Sequence, residues 1–224
     1  MDIESILIRK ERLEKRLLDY GLKEYQNTNL SYLEFDPEKF ATPIEIARRI
    51  IILYSTFHVA CNLNDIEEIK KWLIKENLWE DLSDIEKELF NGEIEDEEKL
   101  SEFSWNIEKV YILAWTLNIV DDTPEPTNQI TDTQFENLIN NIPPLGKENL
   151  LEFFNNQQLR DRNEIYDESL FSELITAYFR DLYCNGQDNQ TSLDPNSTHE
   201  RHFALNWVRR FSGIENWEET DTST

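Results

Sequence analysis

Apolar residues along this chain recur at helical rather than alternating spacing. Residues 3 to 19 carry Ile3, Ile6, Leu7, Leu13 and Leu17 among Arg9, Lys10, Arg12, Lys15 and Arg16. That pattern predicts an amphipathic helix bearing the chain's one basic patch, a solvated face diluted by Glu11 and Glu14 or, on a second reading, a dock for an anion. A polar connector from Gln26 to Asp36 leads to Thr42-Pro43-Ile44-Glu45. There Thr42 can cap a helix, Pro43 suits its first position, and Glu45 can reach back to the cap's backbone N–H. The helix from 43 to 61 is apolar nearly all round, which predicts burial. His58 shares an arc with Ile44, Ile51 and Tyr54 and reads as a hydrogen-bonded core histidine, while Arg48, between Ile44 and Ile52, calls for a carboxylate.

Asn64-x-x-Glu67 and Ser83-x-x-Glu86 repeat the capping pattern, and Gly92 is placed to end the second of these helices. Residues 104 to 119 predict a second helix that is apolar all round. Pro124 and Pro126 mark a loop, Thr133-x-x-Glu136 starts a short helix, and Pro143-Pro144 stops it. A long helical pattern from about 159 to 184 ends at Asn185-Gly186. Asp194-Pro195, or alternatively Ser197-x-x-Glu200, then opens the last helix. With no period-2 strand and no internal repeat, the expected architecture is all-α, a compact single-domain multi-helix bundle of about nine helices over residues 1–224, with an acidic tail from about residue 215.

Charge changes the picture most. Lys and Arg number 22 against 46 Asp and Glu, a formal net charge of −24. Such a field repels nucleic-acid phosphates and anionic membrane surfaces, so neither is an expected partner, and a basic protein is the easier one. The run from Glu80 to Glu102 concentrates the effect, with eleven acids against two Lys, a local net charge of −9. It reads as a solvated face and also as the best landing place for a basic partner. Without a basic leader followed by an apolar run, a cytoplasmic protein is expected, with Cys61 and Cys184 as reduced core residues.

Candidate chemistry concentrates in residues 199 to 210. On a helical wheel Phe203, Ala204, Leu205, Trp207, Val208 and Phe211 form a broad apolar face that also contains Glu200 and Arg201. His199, His202, Asn206, Arg209 and Arg210 fall on the opposite face, a candidate outward-facing patch for an anion or for the acidic face of a partner. The i, i+3 spacing of the histidines does not match a zinc-protease helix, which needs i, i+4, and no metal site is assigned. No phosphate-binding loop, nucleophile elbow or other cofactor motif is present, so no cofactor and no catalytic residue are assigned. Glu108, on the wheel between Trp115 and Ile112 with Trp105 one turn before, either has a raised pKa suited to acid chemistry or joins a buried ion network with Arg48, Glu200 and Arg201.

Several ordered blocks carry a family resemblance: Leu17-Leu18-Asp19-Tyr20-Gly21, Ala47-Arg48, the stretch Trp79 to Glu86, Ser104-Trp105-x-x-Glu108 with Ala114-Trp115, and Leu159-Arg160 with Glu164-Ile165-x-Asp167. They continue through Leu193-Asp194-Pro195 and Glu200-Arg201-His202-x-Ala204-Leu205-Asn206-Trp207 to a terminal Asp221-Thr222-x-Thr224. In these the chain resembles the bacterial domain of unknown function DUF4272. It departs from the family's pattern at about 170 to 184, where Leu174 to Phe179 replace a basic and aromatic run. The resemblance implies one domain in a bacterial, soluble setting and supplies no catalytic residues. The expectation is therefore a non-enzymatic acidic binding protein that recognises a basic macromolecule, as toxin-immunity proteins do. The alternative is a small-molecule hydrolase using Glu108 or the His199/His202 face.

Overall fold

The computed structural model describes residues 3–22, 36 and 39–222, and the connector expected from Gln26 lies outside them apart from Asp36. In chain order the α-helices among the described residues are α1 (Ile3–Leu17), α2 (Pro43–Cys61), α3 (Ile66–Lys75), α4 (Asp84–Phe90), α5 (Glu97–Ser104), α6 (Asn106–Thr116), α7 (Asp132–Asn141), α8 (Leu151–Asn155), α9 (Arg162–Asn185) and α10 (Pro195–Val208). No strand occurs among the described residues, and the protein is all-α. None of these helices is long and apolar enough to cross a membrane. The chain forms two compact units, one from Ala41–Thr123 and Ile130–Arg160, the other from Met1–Phe40, Pro124–Gln129 and Asp161–Thr224.

The first unit is built on α2. Thr42 Oγ1 accepts the Glu45 N–H at 3.3 Å and Glu45 accepts the Thr42 N–H at 2.7 Å, a reciprocal cap whose loss costs about 1 kcal/mol. Ile46, Ile50, Ile51, Ile52 and Leu53 are buried as α2 packs on α5, α6 and α8, each side chain contributing about 1.5–3 kcal/mol. The second all-round apolar helix, α6, buries Val110, Leu113 and Trp115. Arg160 closes the unit by donating from Nε to the Trp115 carbonyl at 2.9 Å, with its guanidinium over the Trp115 ring.

Ser83 and Glu86 form the second expected capping box. Two other starts move. The short helix α7 opens on Thr131 and Gln134, not on Thr133 and Glu136, because the Thr131 pair supplies the same reciprocal bonds two residues earlier. At Asn64 a 3-10 turn, Leu63–Asp65, precedes α3, and no side chain caps the helix. Asp65 instead accepts from His58 Nε2 at 2.7 Å, so His58 is hydrogen-bonded but part-exposed near the end of α2, outside the core. The two thiols are also exposed, since Cys61 ends α2 and Cys184 lies in the last turn of α9.

In the second unit α9 is the axis. Leu13, Leu17 and Leu22 pack with Tyr166, Leu170, Phe171, Leu174 and Ile175 to form its core. The basic patch of α1 faces α9 and is matched by its acids: Arg9 and Arg12 bond Asp167 at 2.8 and 2.5 Å, and Arg16 bonds Glu168 at 2.7 Å while stacking on Phe171. Its charge is thus matched within the chain. Helix α10 opens on Asp194, whose side chain accepts the Ser197 N–H at 3.1 Å, so the alternative Ser197–Glu200 cap is unused. α10 then packs along α9.

Candidate functional site

The segment richest in candidate chemistry is buried. His202 has no exposed surface, Asn206 is 1% exposed, and Arg209 and Arg210 are buried. Only His199 of the expected outward patch is exposed. The patch is therefore corrected: four of its five members belong to the interior. Partners on the expected polar side come from Ser169 of α9 and from a C-terminal segment without helical periodicity.

That segment is the C-terminal strap. After Val208 the backbone reverses through Arg210 and Ser212, both left-handed at φ 50° and 55°, and Gly213 at 76°. Such non-glycine positions cost about 1–3 kcal/mol each and persist only when their surroundings hold them. The Glu215 carbonyl does this by accepting from Arg210 Nη1 at 2.6 Å and Trp207 Nε1 at 3.1 Å. Trp217 then packs edge-on against Phe203 and Trp207, with ring centroids 4.9 and 5.2 Å away. The tail expected from about residue 215 is, through Thr222, docked on α10.

The buried polar groups form a directional chain. Arg209 Nη1 donates to Ser169 Oγ at 3.2 Å, and Ser169 Oγ donates to Asn206 Oδ1 at 3.4 Å. The Asn206 amide nitrogen donates one hydrogen to His202 Nε2 at 3.0 Å and the other to the Asp221 carbonyl at 2.9 Å. His202 Nε2 is consequently an acceptor, and the neutral ring carries its proton on Nδ1, which is buried without a hydrogen-bond partner among the described residues. Burial, with Arg209 and His199 nearby, pushes the His202 pKa down to about 3. One turn along α9 from Ser169, burial pushes Glu173 up to about 7, because Arg209 at 3.7 Å is too distant to hydrogen-bond its carboxylate. A histidine held neutral and locked in place suits a structural strut better than a proton carrier.

Of the expected ion network, Arg48 takes a different acid. Arg48 pairs with Asp81 and donates to the Asn77 carbonyl, both at 2.5 Å, so its carboxylate is not Glu108. A pairing with Glu108 fails because Asp81, in the turn ahead of α4, meets Arg48 first. Fully buried Glu108 accepts the Ile130 N–H at 2.9 Å, tying α6 to the segment that leads into α7. Arg201 is buried and clamps the Pro124–Asn128 loop through the Glu125 and Asn128 carbonyls, each at 2.8 Å. Glu200 is half-buried, with its carboxylate 3.7 Å from His199. Among the described residues no group of three or more His, Cys, Asp or Glu is placed to hold a metal ion.

The acidic run has the opposite character. Of the eleven acids from Glu80 to Glu102, ten are exposed. The exception is Glu86, which meets the buried Arg49 at 2.5 Å and completes the Ser83 cap. Asp96 caps α5 by accepting the Glu98 N–H at 2.9 Å. Glu88, Glu93, Glu95 and Glu102 carry no such structural bond and simply present charge.

Sequence reasoning missed Ser169, Glu173, Trp217 and Asp221 as partners of α10. The i, i+4 pair Ser169 and Glu173 lies in a helix that reads as apolar, and the only sign of the strap's role was the terminal Asp-Thr block.

An all-α protein with a buried polar network and an exposed acidic run is thus defined. Residues 9–220 match the family described as "Domain of unknown function (DUF4272)", and the chain belongs to that family. No curated protein and no solved structure matches it.

Proposed function

We propose that this chain is a non-enzymatic, acidic binding protein of the bacterial cytoplasm that recognises a basic macromolecular partner, in the manner of an immunity protein neutralising a toxin. The observation that carries this reading is the ten exposed carboxylates between Glu80 and Glu102. They form a local field of one sign within a chain of net charge −24. Such a field accelerates encounter with a cationic surface and repels anionic competitors. The buried α10 network also favours binding over catalysis. A hydrolase needs His202 or Glu108 at a concave surface, and neither residue lines the protein's 480 Å³ cleft.

The test is capture from the native cell with the full chain as bait, run beside a Glu88→Gln/Glu93→Gln/Glu95→Gln/Glu102→Gln variant. A basic protein retained by the wild type, released by salt and lost with the variant is the expected result. Recovery of no basic protein, together with turnover of a small-molecule library that Glu108→Gln abolishes, would overturn the binding reading in favour of the hydrolase.

A further inference from the structure

The cleft in the first unit contains chemistry that the acidic surface does not use. Its volume of 480 Å³ lies in the range of small-molecule sites, roughly 300–1,000 Å³. Its walls come from the end of α7, the loop after Pro143-Pro144, and α8 with the residues beyond it. That loop is held in place. Trp72 Nε1 donates to the Lys147 carbonyl at 2.8 Å, and the Glu76 carboxylate accepts the N–H groups of Asn149 and Leu150 at 3.2 and 3.1 Å. These bonds fix Asn149 in a left-handed conformation at φ 60°, so the cleft is formed before any ligand arrives.

The lining is rich in side-chain amides, and they divide into two sets. Asn141 is bonded to Asn137, and Gln157 to the Phe153 carbonyl. The side chains of Asn140, Asn149 and Asn156, and the Glu152 carboxylate, make no hydrogen bond within the protein among the described residues. Phe153 sits among them with its ring half-exposed. Each free amide offers an acceptor and two donors, the match for a hydroxyl pair in which every group both donates and accepts. A partly exposed aromatic ring offers an apolar platform beside these polar groups.

We propose that this cleft binds a neutral saccharide, with Phe153 under the apolar face of a sugar ring and Asn140, Asn149, Asn156 and Glu152 on its hydroxyls. The ligand is uncharged because the lining holds one cation, Lys147, against one anion, Glu152, and the chain's net charge repels anions. A peptide strand fits less well. Its donors and acceptors run in one line, whereas the free amides come from three separate segments.

The test is a titration of the ¹⁵N-labelled full chain with maltose, cellobiose, lactose and chitobiose, followed by backbone amide shifts. Glucose 6-phosphate and an uncharged Ser/Thr-rich peptide serve as comparison ligands. At least one neutral disaccharide should bind with a Kd of about 1 mM or tighter and shift residues 140–157. Asn156→Ala, an exposed change that leaves the fold intact, and Phe153→Ala should each weaken binding about tenfold. Absence of shifts with all four sugars, shifts elsewhere in the chain, affinity unchanged in Asn156→Ala, or binding confined to the phosphorylated sugar or the peptide would each overturn the proposal.

Discussion

Helix α10 with the two arginines after it, and the stretch from Glu80 to Glu102, are two polar regions that the fold treats in opposite ways. On α10 the histidines, arginines and asparagine carry the residue types of an active site. All but His199 are buried: Asn206, Arg201, Arg209 and Arg210 are held by bonds to α9, the strap or the Pro124–Asn128 loop, and His202 by Asn206. From Glu80 to Glu102 carboxylates outnumber lysines eleven to two, and ten of the eleven are exposed. Residue type alone would rank α10 first as a site. Exposure and bonding rank the acidic stretch first, because a buried, interconnected network stabilises a fold while an exposed acidic field acts on something outside it.

The sharpest way to break this comparison is the one acid that crosses it. Replacing Glu86 with Ala takes its carboxylate from the buried Arg49 and removes the acceptor of the Ser83 N–H, and should cost about 3–5 kcal/mol in denaturant unfolding. Glu88→Ala, two residues on and exposed, should stay within about 0.5 kcal/mol. Equal effects at the two positions would erase the distinction between buried and presented carboxylates.

The pH dependence probes the α10 side. Glu173 is raised from 4.5 to about 7, so the folded chain holds a proton that the unfolded chain releases, and stability falls as pH rises through that window. His202 is lowered from 6.5 to about 3, so folding excludes a proton, and stability falls as pH drops through that window. Between pH 4.5 and 6.5 the two nearly offset. Relative to wild type, Glu173→Gln should therefore gain stability with rising pH, reaching about 3 kcal/mol by pH 7, and uncover the histidine's slope below 6.5. Parallel stability curves for the two proteins from pH 4 to 8 would contradict the buried state of Glu173.

A smaller effect separates the two histidines. Asn206→Ala leaves His202 Nε2 and the Asp221 carbonyl without their donor and should cost about 2 kcal/mol, while also loosening the strap. His199 is exposed, with one bond to Thr222, and His199→Ala should cost no more than about 0.5 kcal/mol. Similar losses at both would mean that the outward face of α10 carries more than a strap contact.

Local signals in the sequence were sufficient for the helices. Thr42-Pro43 with Glu45, Ser83 with Glu86, Asp194-Pro195 and Asn185-Gly186 each mark the helix end they predict, because a cap is a contact between residues a few positions apart. At α7 the expected Thr133–Glu136 start was two residues late, because Thr131 and Gln134 offer the same pattern earlier. The site was legible in identity but not in exposure. Arg201 was expected on the apolar face and is buried on the Pro124–Asn128 loop, yet His202 and Asn206 were expected on an outward face. Asn206 bonds Ser169 of α9 and the Asp221 carbonyl, both distant in sequence, and the turn at Arg210 and Ser212 that brings the strap back has no periodicity to read. The cleft beside α8 was missed for the same reason: runs such as Asn155-Asn156-Gln157-Gln158 mark polarity without showing which amides remain unbonded.

The most direct measurement is the affinity of the captured basic partner for the wild type, for the four-residue Gln variant at 88, 93, 95 and 102, and for Asn206→Ala, at one ionic strength. The expected result is at least an about tenfold loss in the Gln variant, whose stability is nearly unchanged, and little loss in folded Asn206→Ala. Full affinity in the Gln variant, with binding lost in Asn206→Ala, would move the functional surface back to α10.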